Sequence, residues 1–187
     1  MNISDSNSNS KYMITDVIGY EREEDNYIEE TDVDDVEMKI IAVYVTISEE
    51  YVSSLQFELS DLKRKVVLTA LLGHKTNKEF CFGIDDGDSI RCIRVYYDNY
   101  FIHGIIFETT NGYNSPLYGS ETLNKKIIVI NNDKEELVSF GGTYNNHITS
   151  IYFVKRKKDG MGKEKINDEE GEELPEEYKQ MLLNAKF

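Results

Sequence analysis

The chain has 187 residues, 40% of them hydrophobic and 30% charged, and carries a formal charge of −14 from 35 acidic and 21 basic side chains. That surplus of negative charge repels phosphate, which excludes non-specific nucleic-acid binding or adhesion to anionic lipid through a basic patch. Two cysteines cannot make a disulfide framework, and the polar start from Met1 to Ser10 holds no apolar stretch for a secretory signal or membrane span. A cytoplasmic protein with reduced thiols is therefore expected. Thirteen Tyr and eight Phe, with only two Pro, favour a β-rich fold.

Residues 1–37 carry 12 acidic and two basic side chains. With so few apolar groups and so much self-repulsion, this segment is expected to be a disordered acidic arm. Ile14, Val17, Ile18 and Tyr20 are the residues in it that could dock as a single strand. Alternating apolar residues then mark strands at 39–45 and 52–57, and further strand candidates follow at 65–72 and 79–82. A second pair lies at 90–96 and 102–107, a lone candidate at 126–130, and a third pair at 136–142 and 148–153. The folded domain is thus placed at 38–156. The basic run from Lys155 to Lys158 is short, is followed by acidic residues, and reads as a solvated strand exit. In the charged tail, 157–187, Pro175 can start a short helix over 176–185 that sets Tyr178, Met181 and Leu182 on one face.

The three strand pairs repeat one another. In each, the second strand reads apolar, any, small, apolar, any, Phe, with Ser54, Gly104 and Ser150 as the small residue and Phe57, Phe107 and Phe153 as the anchor. The anchors are 50 and 46 residues apart. Polar turn residues join each pair: Glu49 and Glu50, Asp98 and Asn99, then Asn145 and Asn146. Each unit is a β-hairpin flanked by short strands, about four strands in all. One such sheet cannot bury its apolar face alone, so three sheets are expected to pack their Phe and Ile faces around a common axis.

The runs Ile90 to Val95, Tyr100 to Phe107 with Asn111-Gly112, and Glu136 to Gly142 with Ile148 to Phe153 resemble the jacalin-related lectin domain. The resemblance implies an all-β fold, the β-prism I, built of three four-stranded Greek-key sheets with pseudo-threefold symmetry. It also implies sugar binding without metal, cofactor or catalysis. Because residues 39–59 look like the unit that normally comes last in that family, a circularly shifted order of the three keys is a further expectation.

A sugar presents hydroxyls, so its site needs a planar carboxylate or amide, converging N–H donors and often an aromatic face. In the family the carboxylate closes a G-x-x-x-D loop. Here the matching Asp positions are Ser53, His103 and Thr149, and the matching Gly positions are Glu49, Asn99 and Asn145. The family's N-terminal Gly-Gly loop is expected near Asn77 and Lys78, where no Gly-Gly occurs. The polar groups left on the loops are Asp98, Asn99, Tyr100 and His103, and Tyr144, Asn145, Asn146 and His147, which are the candidate sugar ligands. Asp-Asn and Asn-Asn are also good turn formers, so a purely structural role stands beside that one.

Two functions remain open: a carbohydrate-binding module that takes a glycan or glycoprotein, or a degenerate prism used in protein–protein interaction through the acidic arm or the C-terminal helix. His74, His103 and His147 read as solvated loop histidines, since no metal motif surrounds them. Cys81 and Cys92, on neighbouring predicted strands, read as small hydrophobes. Asp85-Asp86-Gly87-Asp88 lacks calcium-loop spacing and reads as a tight turn. No nucleophile elbow or phosphate loop occurs, and no enzyme is expected.

Overall fold

The computed structural model describes residues 11–29, 38–130 and 132–158. The helix expected at 176–185 lies outside them. The described residues form β1 (Tyr12–Ile14), β2 (Ile18–Gly19), β3 (Asn26–Ile28), β4 (Lys39–Ser48), β5 (Tyr51–Ser60), β6 (Val66–Leu68), β7 (Leu72–Gly73), β8 (Glu79–Gly83), β9 (Ile90–Tyr97), β10 (Ile102–Thr109), β11 (Tyr118–Gly119), β12 (Asn124–Val129), β13 (Glu135–Tyr144) and β14 (Ile148–Lys157). They make three antiparallel sheets. In one, β1 and β2 lie along β14, followed by β13 and β3; in the second, β6 and β7 lie along β5, followed by β4 and β8; in the third the order is β11-β10-β9-β12. Each sheet therefore has four strand positions, the outermost broken into short pieces.

The repeated hexads occupy equivalent places. Phe57 sits opposite Val43, Phe107 opposite Ile93 and Phe153 opposite Phe140, and all three Phe are fully buried. Strand alternation places Leu55, Ile105 and Ile151, two residues earlier, on the same inward face, also buried. The sheets meet through these side chains: the Phe57 ring lies 6.5 Å from Phe107 and 4.6 Å from Phe140. Full burial of each Phe contributes roughly 2–3 kcal/mol, so the anchors form the common core that no single sheet could supply.

A second repeat, in the outer strands, holds the sheets' edges. Thr15, Thr69 and Ser115 each donate their backbone N–H to the anchor carbonyl, of Phe153, Phe57 and Phe107, at 2.8–2.9 Å. Each side-chain hydroxyl in turn accepts the anchor's N–H at 2.9–3.0 Å. Four residues on from each stands a glycine with positive φ, Gly19, Gly73 or Gly119, facing the small hexad residue Ser150, Ser54 or Gly104. This close crossing of two backbones is the reason the hexad position is small.

Residues 11–29 are not a disordered arm: β1, β2 and β3 complete the sheet of the last hairpin. The physical reason is that β13 and β14 each have an open edge, and backbone hydrogen bonding there does not depend on side-chain polarity. Ile18 and Ile28 provide the apolar contact with the core. The folded domain thus begins well before residue 38. Because the N-terminal strands join the last hairpin, the prism closes with its units in their given order, and no circular shift is required to build it. Cys81 on β8 and Cys92 on β9 are free thiols in different sheets, not neighbours across a hairpin, and Cys81 is exposed because it lies on an edge strand.

Candidate functional site

The tips of the three long hairpins gather at one end of the prism, and this places every sequence-predicted ligand residue there. The hairpins share a register, so the residue six before each Phe anchor, Tyr51, Phe101 or His147, arrives at the same height. Their rings meet on the axis: centroids are 5.1 Å apart for Tyr51 and Phe101, 4.9 Å for Tyr51 and His147, and 5.3 Å for Phe101 and His147. His103 packs on the same Tyr51 ring at 4.7 Å. His103 and His147 are therefore half-buried parts of an aromatic plug and not solvated loop histidines, because register convergence packs their rings together. His74 is exposed and lies edge-on to Tyr144 at 5.1 Å.

The candidates fall into two clusters on either side of this plug. In the β9–β10 turn, Asp98 Oδ1 accepts from the N–H groups of Tyr100 and Phe101 at 2.7 and 2.8 Å, and Oδ2 lies 2.9 Å from His103 Nε2. Burial alone would raise this carboxyl's pKa, but the bonds from His103 and the two N–H groups outweigh it and hold it below its ordinary value. Asp98 and His103 thus stabilise the turn and each other. Asn99 and Tyr100 are exposed at its tip, with the Arg22 guanidinium 5.6 Å from the Tyr100 ring centre.

In the β13–β14 turn, Asn145 Oδ1 accepts from the N–H of Asn146 at 2.5 Å, while its Nδ2 donates to Asp25 Oδ1 at 3.1 Å. Asp25 Oδ2 accepts from the Thr149 hydroxyl at 2.7 Å. The Tyr144 carbonyl accepts from Asn26 Nδ2 at 3.5 Å, and Asn146 is exposed. Burial holds the His147 imidazole below its ordinary pKa, against the opposing pull of Glu49.

Asp25 is the residue that the sequence did not single out. It lies in the 20–25 loop between β2 and β3, which faces the β13–β14 turn because β3 pairs with β13 from Tyr144 to Gly142. The loop opposite this turn is therefore 20–25, not the segment around Asn77 and Lys78. A carboxylate reaches the turn after all, from the facing loop, and binds the residue at the family's Asp position, Thr149. One sequence signal for this loop existed: Thr15, Thr69 and Ser115 each precede a glycine by four residues, and in the structure those glycines end β2, β7 and β11.

A family profile for the Jacalin-like lectin domain matches residues 23–154. No curated protein sequence is significantly similar to the chain. Among solved structures, a mannose-binding jacalin-related lectin from Ananas comosus is 13% identical, with 80% of this chain and 100% of that one covered at a TM-score of 0.63. Artocarpin, solved in complex with methyl-α-mannose, is 13% identical over 79% of this chain and 99% of its own, at a TM-score of 0.64. Frutapin, a lectin from Artocarpus incisa, is 14% identical over 79% of this chain and 98% of its own, also at 0.64. At such identities the structures show a common fold. The profile match across most of the described prism, joined to its three-sheet architecture, establishes that the chain belongs to the jacalin-like lectin domain family.

Proposed function

We propose that the chain is a non-catalytic carbohydrate-binding module that takes a neutral hexose at the tip of the β13–β14 hairpin. The observation that carries this reading is the Asp25 carboxylate, held between Asn145 and Thr149 at the mouth of that turn. Each carboxylate oxygen has a second lone pair, so Asp25 can accept two adjacent sugar hydroxyls while remaining fixed by the protein. Asn146 and Tyr144 flank it as a further polar group and an aromatic face. Asp98 is already engaged by three donors, so the β9–β10 tip offers a sugar mainly Asn99 and Tyr100. The mannose ligands of the Ananas comosus lectin and artocarpin make a mannose-type hexose the first ligand to test.

A shallow site with few polar contacts implies millimolar affinity, on the order of 4 kcal/mol. Titration of the isotope-labelled protein with methyl-α-mannose should move the amide signals of 20–25 and 144–149, saturating in the millimolar range. Asp25→Ala should weaken binding about tenfold or more, because the hydroxyls lose a charged acceptor. Saturable binding that Asp25→Ala leaves unchanged, or no binding of any hexose to the folded protein, would overturn the reading.

A further inference from the structure

Val66, Val67 and Leu68 form an outermost strand, β6, that pairs with β5 on one side only. Two hydrogen bonds bracket that pairing and set its phase: Asp61 N–H donates to the Lys65 carbonyl at 3.1 Å, and Thr69 N–H to the Phe57 carbonyl at 2.9 Å. Bonded and non-bonded positions alternate along an antiparallel pair, so Lys65, Val67 and Thr69 turn their backbone groups to β5 while Val66 and Leu68 turn theirs away. The N–H and C=O groups of Val66 and Leu68 therefore stand on an open edge.

Proteins blunt such edges with a lysine in the strand or with a covering segment. β6 has neither: residues 62–68 are all exposed, and Val66, Val67 and Leu68 are 50%, 37% and 51% exposed. Val66 and Leu68 lie opposite Ser60 and Glu58 and share their outward face. There they wall a groove of about 360 Å³ with Tyr44, Gln56, Glu58 and Lys75.

The turn leading into this edge runs against the charge of the chain, which is −14 overall. It carries Lys63, Arg64 and Lys65 in succession, all exposed. Asp61 Oδ1 accepts from the N–H groups of Lys63 and Lys65 at 2.9 and 2.8 Å, and Arg64, at a φ of 62°, donates its N–H to the Asp61 carbonyl at 3.0 Å. The cations are thus carried on a fixed turn. Among the described residues none of the three is in an ion pair, whereas Lys155 and Arg156 of the other basic run are paired with Glu135 and Glu136. Three cations are too few to hold nucleic acid or an anionic membrane against the rest of the chain, and neither would use the backbone edge. An extended acidic peptide uses every part: main-chain bonds at the edge, alternate side chains toward the groove, and carboxylates at the turn.

We infer that β6 is a docking edge for an extended acidic segment of a partner protein. The segment adds as a further strand beside Val66 and Leu68, lays a long apolar side chain between them into the groove, and sets carboxylates against Lys63, Arg64 and Lys65. The basic turn follows Ser60, at the opposite end of β5 from the Tyr51 tip, so docking here is independent of sugar binding.

The test titrates the isotope-labelled full chain with a synthetic peptide of three aspartates followed by alternating leucine and threonine, and with the reversed sequence. With one of them the amide signals of 63–68 should move saturably. Hydrogen exchange should slow about tenfold or more at Val66 and Leu68, and little at Val67, which already faces β5. Lys63→Glu with Lys65→Glu should weaken binding about tenfold or more, and methylating the peptide's backbone nitrogens should abolish the protection. No saturable shift with either peptide, equal binding of the methylated form, or binding indifferent to the charge reversal overturns the inference. So does protection of Val66 and Leu68 already present in the free chain, which would give the edge to a segment of the same molecule, or protection brought on by protein concentration alone, which would give it to a second copy. Polyphosphate that matches the peptide's affinity would make the turn a general anion contact and overturn it equally.

Discussion

Gly119 has φ near +95°, and a Cβ there would collide with the carbonyl oxygen of His103, which Ser120 N–H already uses at 3.0 Å. Gly119→Ala should cost at least about 1 kcal/mol from the left-handed backbone alone, and more from the collision. Denaturant midpoints will measure it. At the prism's other end Asp88, the last residue of the acidic turn, is buried, and it ties that turn to the loop after β10. Burial would raise its pKa, but bonds from the Thr109 and Thr110 hydroxyls and the Ser89 and Asn111 N–H groups prevail and hold it at about 2. The turn itself is as expected, with Asp88 N–H donating to the Asp85 carbonyl at 3.0 Å. A depressed folded pKa means that this stabilisation is complete above the unfolded value of 3.8 and is lost as pH falls through about 2. Asp88→Asn should lower stability at neutral pH by about 1–2 kcal/mol and flatten the acid limb of the stability curve. Urea unfolding at neutral and at acid pH will show both effects.

Among the elements, the three long hairpins act as one device because their shared register delivers three rings to the axis. His147 is the member of that plug whose protonation burial disfavours. Its folded pKa is lowered by burial from 6.5, so the unfolded chain takes up the proton first and stability falls as pH drops below that value. His147→Phe keeps a ring in the plug and removes the proton. It should lessen the fall in melting temperature between about pH 7.5 and about pH 5.5 relative to the parent chain, and an unchanged fall would overturn the assignment to His147. The hairpins and their polar tips were legible in the sequence, since alternation and turn chemistry are local. The plug was not, because Tyr51, Phe101 and His147 share no chemistry, only a register. Asp25 was hidden for a related reason: a strand of three residues, Asn26–Ile28, has too short a pattern to declare itself inside an acidic stretch.

For the whole molecule, the N-terminal strands are structural. Deleting residues 11–29 removes β1, β2 and β3 and leaves both edges of the β13–β14 pair open, as well as the Phe153 backbone unclamped by Thr15. The deleted protein should lose its cooperative unfolding transition, measured by circular dichroism, instead of behaving as a prism relieved of a flexible arm. A retained sharp transition would show that the remaining two sheets and hairpin suffice.

The all-β class, the threefold repeat and the burial of Phe57, Phe107 and Phe153 were determined by the sequence alone, because alternation and a recurring hexad are written in neighbouring residues. Only the tertiary structure decided that the acidic N-terminal segment completes the sheet of the last hairpin, and that Asp25 meets Thr149 across 124 residues of chain. Both depend on open sheet edges, whose unpaired backbone groups recruit distant segments by hydrogen bonding and leave little trace in side-chain composition.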